Sequence, residues 1–105
     1  MIKNDGTYFI VTFEEDKKYP EEIEPFSYKG IELFVAKSYC NIRQFNNEFY
    51  TVTEKSTGNS LDGVDHNSIE AAKSNAIAKI DRVGIDEVLA SINRGIERNK
   101  ELGVV

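Results

Sequence analysis

The chain has one thiol, Cys40, and one imidazole, His66, the two side chains best suited to act as nucleophile and general base. Such a pair works only when both groups converge in a cleft and a third group orients the imidazole. No family-specific signature surrounds either residue. Cys40 ends a strand-like run between Tyr39 and Ile42, where a structural cysteine is common. His66 lies in the polar run Asp65-His66-Asn67-Ser68 before a helix, the setting of an exposed loop histidine. A small hydrolase or nucleotide-processing site on Cys40, His66 and nearby carboxylates is therefore the alternative reading, and no catalytic residue is assigned.

Metal and cofactor chemistry fare no better. A transition-metal site at His66 would draw on Asp62 and Asp65, and one imidazole is a thin basis for it. Asp62-Gly63-Val64-Asp65 resembles part of a calcium loop but lacks the alternating oxygen ligands and the closing bidentate glutamate. Ser56-Thr57-Gly58-Asn59-Ser60 has a single glycine, whereas a phosphate cradle needs several and a helix start, so a hairpin turn is expected. Glu14-Glu15 and Glu21-Glu22 are adjacent carboxylates in a proline-containing stretch, where solvation would leave both ionised and unfit for acid–base work. Arg94, Arg98 and Lys100 are interleaved with Glu97 and Glu101, the pattern of a solvated helix face with ion pairs. No metal and no cofactor are expected.

What stands out is charge placement. The formal net charge is −5, yet residues 1–24 carry seven acids (Asp5, Glu14, Glu15, Asp16, Glu21, Glu22, Glu24) against three bases (Lys3, Lys17, Lys18). The remainder is nearly balanced. An acidic, partly apolar connection held on a rigid sheet can engage a basic surface. The expected partner-binding residues are Glu14, Glu15, Asp16, Tyr19, Glu21, Glu22, Ile23 and Glu24, with Tyr19 and Ile23 supplying apolar contact. Direct binding to nucleic acid, which needs a basic surface, is disfavoured.

The elements that must carry these residues follow from periodicity. Thr7 to Phe13 alternates two faces and is rich in aromatic and β-branched types, so a strand is expected over about 7–14. Glu14 to Pro25 loses that period and holds both prolines, which predicts a loop. Period two resumes from Ile31, giving strands over about 31–44 and 48–56, with Asn46-Asn47 suited to the turn between them. A short fourth strand is possible near 60–63. Asn67 or Ser68 can cap a helix over 68–83, with Glu70 completing a capping box and Gly84 ending it in a left-handed conformation. Ile85, Val88, Leu89, Ile92 and Ile96 form a second stripe, a helix over 85–101.

The fold class is therefore α+β: a three- to four-stranded antiparallel sheet packed against two C-terminal helices. The expected core is Phe9, Val11, Leu33, Val35, Val52, Ile69, Ala76, Ile80, Leu89 and Ile92, with strand faces open to a one-residue slip. At 105 residues, 40% hydrophobic and 30% charged, the chain has the size and composition of one globular domain, 1–105. The opening residues Met1 to Gly6 lack the apolar stretch of a signal peptide, and no apolar run approaches the roughly 20 residues that span a bilayer. One cysteine allows no internal disulfide, so the expected compartment is a reducing cytoplasm.

The order Phe49-Tyr50-Thr51-Val52-Thr53-Glu54, Ser56-Thr57-Gly58, then Ser68-Ile69-Glu70-Ala71-Ala72 and an Ala-rich helix to Gly84 resembles small phage and prophage proteins of uncharacterised function. It covers roughly residues 49–84, its motifs are structural, and it carries no site residue across. By analogy of size and charge alone, small acidic phage products include anti-CRISPR and other anti-defence proteins. The expectation is a non-enzymatic inhibitor that occupies a basic, nucleic-acid-binding surface of a host effector. Homo-oligomerisation through a sheet edge or the second helix is a further alternative.

Overall fold

The structure, a computed structural model, describes residues 1–12, 14–39, 44–61 and 66–103. Its elements are β1 (Ile2–Lys3), β2 (Ile10–Val11), β3 (Lys17–Lys18), β4 (Glu22–Tyr28), β5 (Ile31–Tyr39), β6 (Phe45–Glu54), α1 (Ile69–Val83) and α2 (Ile85–Leu102). One antiparallel sheet has the order β1-β4-β5-β6, and β2 pairs with β3 in a separate ribbon. This is the α+β arrangement expected, an antiparallel sheet with two C-terminal helices.

β5 is central and buried on both faces, which is why its residues run Leu33-Phe34-Val35-Ala36 without a polar break. Leu33, Val35 and Val52 face Ala72, Ala76 and Ile80 of α1 and Val88 of α2. Alanines in α1 let the helix approach the sheet closely, while Ile80 fills the remaining space. On the opposite face Phe34 and Ala36 join Ile23 in a second, smaller core that Tyr8 and Ile10 cover. Tyr8 meets Phe34 edge-on, ring centres 5.1 Å apart.

The two helices start and stop where the sequence indicates. Ser68 Oγ accepts from the Ala71 amide at 3.1 Å, and Gly84 closes α1 at φ 94°, ψ 142°. That glycine has the expected positive φ but lies outside the left-handed helical well, and α2 begins directly after it.

Four expectations are corrected. The stretch 14–25 is not simply a loop: it contains β3 and opens into β4, a seven-residue strand that Pro25 obscured. Asn4 N–H donates to the Glu21 carbonyl, so the odd-numbered peptide groups of β4 point away from β5, and the missing N–H of Pro25 falls on the open edge. Second, the expected strand over 7–14 shrinks to Ile10–Val11, and its inward face is Tyr8 and Ile10 rather than Phe9 and Val11. Third, Asn46-Asn47 lies within β6, so strand three starts earlier; strand two is described over Ile31–Tyr39, and 40–43 of its expected span lies outside the described residues. Fourth, Leu89 is 45% exposed while its neighbour Val88 is buried. The stripe is wider than the face that α2 buries; Ile69 and Ile92 are partly covered at its margins.

The turn after β6 joins everything else. Glu54, 5% exposed, accepts from the Ser56 amide (2.7 Å) and hydroxyl and from the Thr57 amide (3.0 Å) and hydroxyl (2.8 Å). Asn99 Nδ2 of α2 donates to the Thr57 carbonyl at 2.9 Å, and Val11 N–H of β2 donates to the Gly58 carbonyl at 2.8 Å. Gly95 abuts the turn so closely that a Cβ there would lie 3.0 Å from Thr57 Cγ2 and 3.1 Å from Asn59 Nδ2. At Gly58, φ is 73° and a Cβ would meet the Phe9 ring at 2.7 Å.

A second clamp ties the β4–β5 turn to α1. Asp81 accepts from Tyr28 Oη at 2.9 Å and from Lys29 Nζ at 2.9 Å. The Lys29 hydrogen bond, then the Tyr28 hydroxyl, holds the Asp81 carboxyl below its ordinary value, and the same contacts push Lys29 and Tyr28 upward.

Four substitutions test this packing in a denaturant melt. Ile80→Ala should cost about 2–5 kcal/mol, whereas Leu89→Ala should cost under about 1 kcal/mol because half the side chain is already in water. Glu54→Ala should cost at least about 2 kcal/mol by stranding the buried Thr57 donors, and Gly95→Leu about 1–3 kcal/mol by overpacking; melts indistinguishable from wild type would remove the turn from its organising role. In an NMR titration Lys29→Ala should move the Asp81 carboxyl up toward the ordinary 3.8. Because folding lowers that group, its contribution is present above 3.8 and fades as pH falls through the folded value.

Candidate partner-binding surface

The acidic residues sit on a ribbon built from the N-terminus upward. Asn4 fixes its base: Nδ2 donates to the carbonyls of Tyr8 and Pro20, both at 2.8 Å, and Oδ1 accepts from the Gly6 and Tyr8 amides. Asp5 accepts from the Thr7 amide at 3.0 Å, and hydrogen bonds from the Thr7 hydroxyl and then its amide hold the Asp5 carboxyl below its ordinary value. From there Ile10 and Val11 pair with Lys18 and Lys17, and the chain reverses through Glu14, Glu15 and Asp16. Glu15 turns with φ 67°, donating its amide to the Thr12 carbonyl.

This geometry divides the expected acidic patch in two. Glu14, Glu15 and Asp16 form the ribbon tip, and Glu21 and Glu22 stand at its base beside β1. β3 and the Tyr19-Pro20 step lie between the two groups. Lys17 and Lys18 lie between, with Lys17 Nζ 4.5 Å from the centre of the Phe9 ring.

The eight expected residues have different duties. Ile23 is fully buried beneath Tyr8 and Ile10, so it cannot touch a partner. Glu24 pairs with Lys73 of α1, and Glu15 pairs with Arg98 of α2 at 3.0 Å; each holds one element to another. Glu14, Asp16, Glu21 and Glu22 are exposed, and Tyr19 is 53% exposed. Among the described residues Asp16, Glu21 and Glu22 form no ion pair. The surface is thus four carboxylates and one phenol, with Glu14 and Asp16 at the tip of the ribbon, Tyr19 just after β3, and Glu21 and Glu22 where β4 begins.

His66 exchanges backbone hydrogen bonds with Tyr50 at 2.6 and 2.9 Å and is half-buried. Cys40, with the Asp62–Asp65 run, lies outside the described residues, so the Cys–His pair and the calcium-like run have no geometry here. Among the described residues no three His, Cys, Asp or Glu side chains cluster as metal ligands, and no helix is long and apolar enough to cross a membrane. Arg94 pairs with Glu87 and Lys100 with Glu97 along α2, while Arg98 reaches across to Glu15.

A second surface lies on α2, the helix expected from the sequence as one route to homo-oligomerisation. An open groove of about 450 Å³ runs between α2, the ends of β5 and β6 and the segment before β2, with Phe9, Ile31, Leu89 and Ile92 as its apolar lining and Glu32 and Lys55 among its polar residues. The exposed Leu89 was its only sequence signal, hidden because every member of the helical stripe looks equally inward. Compared with known proteins, the chain matches no protein-family model, no curated protein and no solved structure.

Proposed function

We propose that this chain is a non-enzymatic binding protein that docks on a basic protein surface through Glu14, Asp16, Glu21 and Glu22, with Tyr19 as the apolar contact between the two acidic ends. The observation that carries the reading is the anchoring of the ribbon. Asn4, the Tyr8–Phe34 contact and the Glu15–Arg98 pair hold it before any partner arrives. Little ordering entropy is then lost on binding, and the exposed carboxylates act mainly by steering association. In its finer form the proposal is a phage-encoded inhibitor that covers a nucleic-acid-binding surface of a host effector. What supports that form is the charge of the ribbon together with the resemblance over residues 49–84.

Capture from host lysate with wild-type bait and with an E14K/D16K/E21K/E22K bait, read by quantitative mass spectrometry, tests the reading. Glu15 and Glu24 are left in place because each is already paired with a cation on a helix. The captured partner should associate at least roughly tenfold more slowly with the variant at low salt, and wild-type association should slow as salt is raised. Reversal of Glu97 on α2 serves as the control and should leave the rate unchanged. Equal association rates for a folded quadruple variant and wild type would overturn the proposal.

A further inference from the structure

α2 presents more apolar surface than the fold covers. At about 100° per residue, Val88, Gly95 and Asn99 share the buried face, while Ile85, Leu89, Ile92 and Ile96 form a stripe along its margin. The first, third and fourth of these are half-buried, and Leu89 stands 45% exposed at the groove beside Ile92 and Ile31.

The polar residues next to the stripe are arranged symmetrically. Asp86, Asn93 and Lys100, all exposed, follow one another at intervals of two helical turns along the flank beyond Leu89. Acid stands at one end, base at the other, and a carboxamide at the midpoint. Among the described residues Asp86 has no cationic partner, and Lys100 has only Glu97 at 3.6 Å. A two-fold axis through Asn93 would set each Lys100 against the Asp86 of the other copy, twice. The two Asn93 side chains would meet on the axis, where a carboxamide, being both donor and acceptor, can pair with its own kind. The same axis would bring each Leu89 toward the Ile96 of the other copy, at the mouth of the groove.

We propose that this flank is a homodimer interface, in which α2 of a second copy packs antiparallel on α2 of the first, with Leu89 as the apolar anchor and two reciprocal Asp86–Lys100 pairs setting the register. An isologous contact needs a patch complementary to itself, and acid–amide–base order along one helix flank has that property. The carboxylates of the binding reading are not part of this surface, so the proposal goes beyond that reading and neither depends on the other. A single helix pair is a small interface, so a dissociation constant on the order of micromolar is expected.

Sedimentation velocity on the full chain over a range of concentrations is the test. Wild type should pass from monomer to dimer as concentration rises. Leu89→Asp, Asp86→Lys and Lys100→Asp should each sediment as monomers at concentrations where wild type is dimeric, with unchanged far-UV spectra. An equal mixture of D86K and K100D should regain the dimer, because in that heterodimer both charge pairs are attractive again. A wild type that stays monomeric at every concentration would overturn the proposal and leave the flank to a different protein. Persistence of the dimer in L89D, or a mixture that stays monomeric while wild type dimerises, would overturn it equally by placing the contact elsewhere.

Discussion

The carboxylate of Glu54 is taken out of water at the end of β6, and the hydrogen bonds it accepts from Ser56 and Thr57 are what make that burial tolerable. Satisfying those donors fixes the turn, and the turn in turn offers its own carbonyls outward: Thr57 to Asn99 of α2, Gly58 to Val11 of β2. A loosely held turn would present neither at a defined position. The sheet, the second helix and the N-terminal ribbon therefore share one small polar junction, and the two glycines at it, Gly58 and Gly95, are there because no larger residue leaves room for Phe9 or Thr57.

That junction explains why the sheet is covered on both faces in so short a chain. Helices take the face of Leu33, Val35 and Val52, and the ribbon takes the face of Phe34 and Ala36. A sheet covered on one side alone would have left Phe34 in water. The ribbon's own pairing, two residues to a strand, is too short for independent stability. It persists because Tyr8 and Ile10 are packed, Asn4 bridges its base, and Gly58 receives it.

Local chemistry made the helices legible: Ser68 at one end, Gly84 between them, apolar residues at three and four apart, and boundaries that agree within a residue. β5 was equally plain from the period of two that resumes at Ile31. β4 was not, since Glu22, Glu24 and Pro25 read as loop when taken singly. Each is permitted by position: the acids project from the strand, and the proline sits where its missing N–H faces an open edge. The slip from Phe9 and Val11 to Tyr8 and Ile10 has a similar origin, because both sets are apolar and only the location of Phe34 and Gly58 decides which turns inward. Of the candidate surface, sequence located the acids but not their duties. Glu15 and Arg98 are 83 residues apart, and no local pattern announces such a pair.

The ion pairs that claim Glu15 and Glu24 do not by themselves hold the ribbon or β4. The Glu15–Arg98 side chains are 43% and 69% exposed, a setting in which an ion pair contributes about 0–1 kcal/mol. Burial of Tyr8, Ile10 and Ile23 contributes more, at about 25 cal/mol for each Å² removed from water. Orientation is the better account of these pairs: an apolar contact is tolerant of rotation, whereas a carboxylate drawn to one guanidinium is less so. With Glu15 turned toward α2, the tip of the ribbon presents Glu14 and Asp16 outward, and Glu24 turned toward α1 leaves Glu21 and Glu22 at the base. Internal pairing thus separates Glu15 and Glu24, which reach across to the helices, from Asp16, Glu21 and Glu22, which form no ion pair among the described residues, a division that net charge alone does not contain.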